Sequence, residues 1–204
     1  MEYYLNHSVL VFLMFGKVGE NIWKFTGTDK SNVYLLDGKN KVIIDTGSRT
    51  DCDLLKTFMG KAVDFDKVEA VIFTHLHHDH CGNFDMFPNA QFYASQQEID
   101  DFNLDKEGTV LDPVVADMIS KIELKPLPAE IYGLKVISTP GHTRGSVCLL
   151  HEGEQALFTG DTLFGTKRTG RVDLPTSTPE GMKESMMKLV EIPYKIFCPG
   201  HDYE

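Results

Sequence analysis

Thr74-His75-Leu76-His77-His78-Asp79-His80 follows directly on the apolar run Val71-Ile72-Phe73. The run has β-branched and aromatic residues in succession without polar alternation, which predicts a strand buried on both faces. The polar residues therefore occupy the loop that leaves a rigid strand. In extended backbone, alternate side chains point to the same side, so His75 and His77 can reach one cation. Asp79 and His80 fall beyond the bend and can face a second. His78 alternates away from its neighbours and is excluded. Neutral imidazole with carboxylate suits zinc, iron, nickel or manganese. A lone histidine would read as an ordinary core or surface residue. Five potential ligands crowded at the mouth of a buried strand point to a metal site instead.

Working outward, the 204 residues and an apolar fraction of 42% fit a single domain over 1–204 with a full layered core. The net charge of −10 argues against a phosphate-tracking surface, so no nucleic-acid partner is expected. Cys52, Cys81, Cys148 and Cys198 are widely spaced and form no C-x-x-C pair, the usage expected of reduced residues in a cytoplasmic protein. Cys81 follows His80 directly and can either approach the metal site or pack in the core. The apolar run from Val9 to Phe15 lacks a basic lead and is too short to span a bilayer, so neither export nor a membrane partner is expected.

Toward the N-terminus, strands are predicted at Ser8–Phe15, Asn21–Thr26, Asn32–Leu36 and Lys41–Ile44, the last two joined by an Asp37-Gly38 hairpin signal. Asp51–Met59 reads as a helix with Leu54, Leu55, Phe58 and Met59 on one face, closed by Gly60. Val68–Thr74 is the strand that delivers the ligand loop. Toward the C-terminus, a short helical segment opens at Gly82-Asn83 and ends before Pro88, and Gln91–Ala94 is a strand. Ser95 and Glu98 have the spacing of a capping box. Residues 101–132 are charged and weakly periodic, and read either as a substrate lid or as a solvated helical surface. Strands return at Leu134–Ser138, Ser146–His151 and Ala156–Phe158. A helix spans Pro179–Val190 with Thr178 as N-cap and an apolar face of Met182, Met186, Leu189 and Val190, and Ile196–Cys198 is the final strand. The two β-rich halves, each followed by helices, predict two similar sheets facing each other with helices outside.

Three further potential ligands stand at strand ends, each after an apolar run and a glycine: His142 in Thr139-Pro140-Gly141-His142, Asp161 in Thr159-Gly160-Asp161, and His201 in Pro199-Gly200-His201. Glycine lets backbone approach closely and aims the next side chain out of the sheet edge. His7 and His151 lack this setting and read as ordinary surface or strand residues. Asp45, after a strand and before Thr46-Gly47, is either a partner to a ligand histidine or a turn cap.

His75, His77, Asp79 and His80 match the H-x-H-x-D-H motif of the metallo-β-lactamase superfamily, and with His142, Asp161 and His201 seven positions agree in order. The chain resembles that superfamily over essentially its whole length. The resemblance implies an α/β fold, a four-layer αβ/βα sandwich with metals at one edge. It also implies a first metal site of His75, His77 and His142, a second of Asp79, His80 and His201, and Asp161 bridging them. Two divalent cations, zinc first and iron or manganese as alternatives, would then lower the pKa of a bridging water and polarise a carbonyl oxygen. Asp79 would orient the resulting hydroxide as ligand and proton acceptor together.

Within the superfamily the chain is similar to the glyoxalase II group of thioesterases at Pro140-Gly141-His142-Thr143, Gly160-Asp161-Thr162-Leu163-Phe164 and Gly200-His201-Asp202-Tyr203. Tyr203 resembles a tyrosine that contacts glutathione in that group, and either contacts substrate or packs. Glyoxalase II continues into a helical domain, whereas Glu204 ends this sequence, and Gly165–Pro175 looks like the short single-domain relatives. Arg168 and Arg171 can meet an acidic substrate tail, with an ion pair to Asp173 the competing role for Arg171. The resemblance thus implies a small-molecule acyl thioester or ester as substrate. The alternatives are a mononuclear-iron persulfide dioxygenase using His75, His142 and Asp161, and an acyl-homoserine lactonase. A nuclease is disfavoured by charge, a flavodiiron protein by His77 standing where those proteins carry glutamate, and a non-catalytic metal-binding module by the complete ligand set.

Overall fold

The computed structural model describes residues 15–165 and 168–203. Two sheets are stacked face to face. The first begins as an antiparallel meander of β1 (Phe15–Lys17), β2 (Ile22–Thr26), β3 (Asn32–Asp37) and β4 (Lys41–Ile44). It continues through β5 (Ala70–Ile72), β6 (Gln91–Ala94) and β7 (Leu124–Pro126), which pair in parallel, giving seven strands in sequence order among the described residues. The second sheet has the order β12-β11-β10-β9-β8, from β8 (Glu130–Ile131), β9 (Leu134–Ser138), β10 (Val147–His151), β11 (Ala156–Gly160) and β12 (Ile196–Pro199).

Period-two alternation within the apolar runs explains the layering. Tyr34 and Leu36 of β3, with Val42 and Ile44 of β4 and Ile72 of β5, face Leu134, Leu149 and Phe158 of the second sheet. The intervening Val33, Leu35, Ile43 and Val71 face the other way, onto Leu55 and Met59 of α1 (Cys52–Met59). The runs are continuous because both faces are covered. On the far side, Cys148, Leu150 and Leu157 pack against Leu189 of α6 (Pro179–Val190). The result is the expected four-layer αβ/βα sandwich.

Several expectations need correction. Of the strand predicted over Ser8–Phe15, only Phe15 lies within the described residues, and His7 lies outside them too. The ladder predicted over Val68–Thr74 spans Ala70–Ile72, because the Thr74 N–H is taken by the Asp45 carboxylate at 2.8 Å. Asp79 and His80 belong to a single helical turn, α2 (His78–Cys81), that periodicity did not reveal. On α6 the buried face is Met182, Ser185 and Leu189. Val190 is 83% exposed, and Ser185 is buried because its Oγ donates to Pro140 O at 2.7 Å. Thr178 stands at the start of α6 without a side-chain cap bond.

Residues 101–132 hold packed helices: the end of α3 (Gln96–Leu104), α4 (Lys106–Val110) and α5 (Pro113–Ile119). Phe102, Val110, Val115, Ala116 and Ile119 are buried in the core under the first sheet. Asp105 Oδ1 caps α4 through Gly108 N–H, and Asp112 Oδ1 caps α5 through the amides of Val114 and Val115. The segment is thus a helical layer, and Leu111, turned at φ 63° between α4 and α5, is the residue it contributes to the lining of a cavity at the sheet edge. The four cysteines are free, as expected. Cys81 is fully buried with its thiol donating to Leu76 O, so it packs in the core. Among the described residues, no helix is long and apolar enough to cross a membrane.

Candidate metal centre

All the predicted ligands leave strands at one edge of the sandwich. His75 and His77 follow β5, His142 follows β9, Asp161 follows Gly160 at the end of β11, and His201 follows β12. The glycines at two of these ends are required by contact. A Cβ at Gly160, whose φ is 47°, would lie 2.6 Å from Thr74 Oγ1. One at Gly200 would lie 2.5 Å from Asp161 Oδ1.

Three groups of donor atoms result: His75, His77 and His142; His75, His80 and Asp161; and Asp79, His80 and His201, with the atoms of each group within 4.8 Å of one another. His142 Nε2 lies 2.8 Å from His77 Nδ1, and His80 Nε2 lies 3.2 Å from His201 Nε2. Asp161 stands between the groups, Oδ1 3.2 Å from His80 Nε2 and Oδ2 3.5 Å from His142 Nε2. Asp79 Oδ2 is 3.1 Å from His201 Nε2.

The outer hydrogen bonds decide which nitrogens face inward. His142 Nδ1–H donates to Arg171 O at 2.7 Å, and His80 Nδ1–H donates to Asp45 Oδ2 at 2.9 Å. His75 Nδ1–H donates to Thr74 Oγ1 at 3.1 Å, while that hydroxyl donates onward to Asp45. The Nε2 atoms of all three rings therefore point into the cluster, the orientation that outer partners impose on metal-ligating histidines. His75 Nε2 and Asp161 Oδ1 are buried without a hydrogen-bond partner. Buried polar atoms left unpaired are costly, and a cation at the centre would satisfy both. The donor set thus fits divalent metal.

The electrostatics agree. Burial, reinforced by neighbouring imidazoles, holds His75 well below the usual histidine range and pushes His77 down to about 3. Burial also lowers His142. These rings are neutral, the form that ligates. Burial opposes ionisation of Asp79 and Asp161, but the charge on His80 outweighs it and holds both carboxyls below the ordinary value. Against its own burial, His80 is in turn held well above the usual histidine range by Asp161, Asp79 and Asp45, so it carries a proton that a divalent cation would displace.

Asp45 resolves as the partner of His80, one of the clustered histidines, and not as a simple turn cap. It is buried, and its backbone is held at φ 55°. Such a conformation costs a non-glycine residue about 1–3 kcal/mol. It persists because one carboxylate accepts from Thr74 N, Thr74 Oγ1 and His80 Nδ1 together.

The cluster opens onto a cavity of about 480 Å³ whose wall includes Leu111, Phe164, Arg168, Leu174 and Tyr203. Tyr203 stacks on His201 with ring centroids 4.8 Å apart and is 44% exposed, so it both packs and faces the cavity. Arg171 forms the anticipated two-pronged ion pair with Asp173, both bonds 2.9 Å. His78 lines the cavity mouth outside all three donor groups. His151 accepts from Glu154 N–H in a turn remote from the cluster. The reading of residues missed Leu111 and Leu174, whose aliphatic side chains carry no chemical signal.

A model of the metallo-beta-lactamase superfamily matches residues 26–201. A "probable metallo-hydrolase" of Methanocaldococcus jannaschii is 32% identical over 79% of this chain and 81% of its own. The hydroxyacylglutathione hydrolase of Francisella tularensis subsp. novicida is 28% identical over 89% of this chain, which spans 66% of that relative. The crystal structure of TTHA1623 in a di-iron-bound form aligns with a TM-score of 0.68 and 25% identity, covering 87% of this chain and 90% of that one. With its four-layer sandwich and a histidine–aspartate cluster fitted to divalent metal at the sheet edge, the chain belongs to the metallo-β-lactamase superfamily.

Proposed function

We propose that this protein is a cytoplasmic dinuclear metal hydrolase that cleaves a small acyl thioester of the hydroxyacylglutathione kind. The observation that carries the proposal is the position of Asp161 between two groups of inward-facing donors. His75, His77 and His142 would hold one cation, Asp79, His80 and His201 the other, and Asp161 would serve both. The donor set accepts zinc, iron or manganese, with zinc assigned first. Bound there, the metal would supply Lewis-acid polarisation of a carbonyl and a lowered pKa for coordinated water.

The chain's own residues do the rest. Asp79 stays ionised at the floor of the cavity and orients the attacking water as a hydrogen-bond acceptor. Leu111, Leu174 and Phe164 exclude water around the acyl group. Arg168 offers its cation to a carboxylate on the substrate tail, and Tyr203 presents its phenol beside His201. The relatives named as hydroxyacylglutathione hydrolases support the thioester.

The test is elemental analysis of the purified protein alongside hydrolysis of S-lactoylglutathione. Two metals per chain with turnover are expected. One iron per chain, with oxygen uptake on glutathione persulfide and no hydrolysis, would replace this reading with a dioxygenase. Turnover confined to acyl-homoserine lactones would keep the metal centre and replace the substrate.

A further inference from the structure

The three-histidine group is assembled from both sheets: His75 and His77 arrive from β5 of the first, His142 from the loop after β9 of the second. A third element ties these loops together. Glu98, on the first turn of α3, is fully buried. Its Oε2 accepts from the backbone N–H of Leu76, the residue between His75 and His77, at 2.9 Å. Its Oε1 accepts a short hydrogen bond from the hydroxyl of Thr143, the residue after His142. The capping-box reading of Glu98 therefore holds by half. Ser95 Oγ does accept from Glu98 N–H at 3.1 Å, but the carboxylate turns away from the helix and bridges the two loops.

The rest of α3 is fastened to the same loop. Ser95 Oγ donates to Gly145 O at 2.6 Å, and Arg144 donates to the Asp101 carboxylate through Nε and Nη2. A Cβ at Gly145 would lie 2.5 Å from Glu98 N, so backbone and helix are in close contact. The position of α3 is thus fixed against the second sheet's loop independently of Glu98. What the carboxylate adds is the link to Leu76 on the first sheet's loop.

We propose that Glu98 is a positioning residue for the three-histidine group, holding the His75–His77 loop at the separation from His142 that one cation requires. The inference rests on the reading that these histidines bind metal. Groups that orient ligands from behind typically contribute about 10–100-fold to metal affinity. A residue that merely stabilised the fold would weaken both sites together, whereas the two bonds of Glu98 go to Leu76 and Thr143, the chain neighbours of His75, His77 and His142, and reach Asp79 and His80 only through the backbone beyond His77.

The experiment titrates metal-free protein with Zn²⁺ against a chromophoric chelator in two backgrounds. His201→Ala leaves the three-histidine site intact, and His142→Ala leaves the other. Glu98→Ala is expected to raise the zinc Kd about 10–100-fold in the first background and to leave it unchanged in the second. Glu98→Gln, which keeps an acceptor for Leu76 N–H while Thr143 rotates to accept, should restore the first. Equal weakening of both sites, or no change in the first with circular dichroism showing a folded protein, overturns the proposal. If Glu98→Ala does not fold, Thr143→Val replaces it with the same expectation, and wild-type affinity at the three-histidine site in that variant overturns the proposal. Absence of zinc binding by the wild-type protein would instead refute the metal reading on which it rests.

Discussion

Asp45 Oδ2 lies 2.9 Å from His80 Nδ1, and that contact determines which nitrogen of His80 faces the donor cluster. The carboxylate is an acceptor, so Nδ1 keeps its proton and Nε2 is the nitrogen that points inward to take a cation. Asp45→Asn keeps the shape and tolerates the left-handed backbone, since Asn adopts φ > 0 readily. With its oxygen held by Thr74 N–H, its amide nitrogen presents a donor to His80. The opposite tautomer is then favoured, with a proton on the ligating nitrogen. The variant should fold and lose about 10–100-fold in affinity at the site of Asp79, His80 and His201, read by zinc titration.

Asp161 faces both donor groups, so its loss cannot be confined to one. Asp161→Ala removes oxygens 3.2 Å from His80 Nε2 and 3.5 Å from His142 Nε2. Metal content by elemental analysis should fall at both sites, with both zinc Kd values raised. Full metal content in the variant would show that the carboxylate bridges nothing.

Gly200 should tolerate no side chain. A Cβ there would lie 2.5 Å from Asp161 Oδ1 and 2.7 Å from the carbonyl carbon of Gly160, and the backbone contact cannot be relieved by a rotamer. Gly200→Ala is expected to cost about 1–3 kcal/mol in chemical denaturation and to weaken metal binding by displacing Asp161. Gly16→Ala, with open space around its Cβ, is the control and should change stability by less than about 0.5 kcal/mol.

The clustering of the donor residues was legible because their chemistry is dense in sequence at His75–His80 and each later member, His142, Asp161 and His201, follows an apolar run and a glycine. The layering was legible because alternate residues of the buried runs face opposite covered sides, as Tyr34 and Leu35 do. Glu98 was misread because a capping-box glutamate and a buried loop tie look identical at the i, i+3 spacing, and only its partners Leu76 and Thr143, distant in sequence, distinguish them. The helices over 101–132 were hidden by their shortness. α4 and α5 are five and seven residues long, too short for a period to emerge, and the Asp105 and Asp112 caps with Pro113 were the signal available. Val190 was misplaced on α6 because hydrophobicity was weighed above the hydrogen bond that buries Ser185.

Burial pushes the Glu98 carboxyl up from 4.5 to about 7. The hydrogen bonds from Thr143 and Leu76 favour its ionised form but do not overcome the loss of water. A carboxyl whose folded pKa is raised binds its proton more tightly in the native state. It therefore contributes stability that is fully present below its unfolded value and is lost as pH rises through the folded one. An offset of this size corresponds to roughly 3 kcal/mol. Other buried groups titrate nearby, so the informative quantity is the difference between metal-free wild type and Glu98→Gln, which mimics the protonated form at every pH. Urea denaturation should show the wild type losing roughly 3 kcal/mol relative to Glu98→Gln as pH rises from about 4 to about 8. A difference that stays constant across that range would mean that the Glu98 carboxyl titrates alike in the folded and unfolded chain, its hydrogen bonds fully offsetting burial.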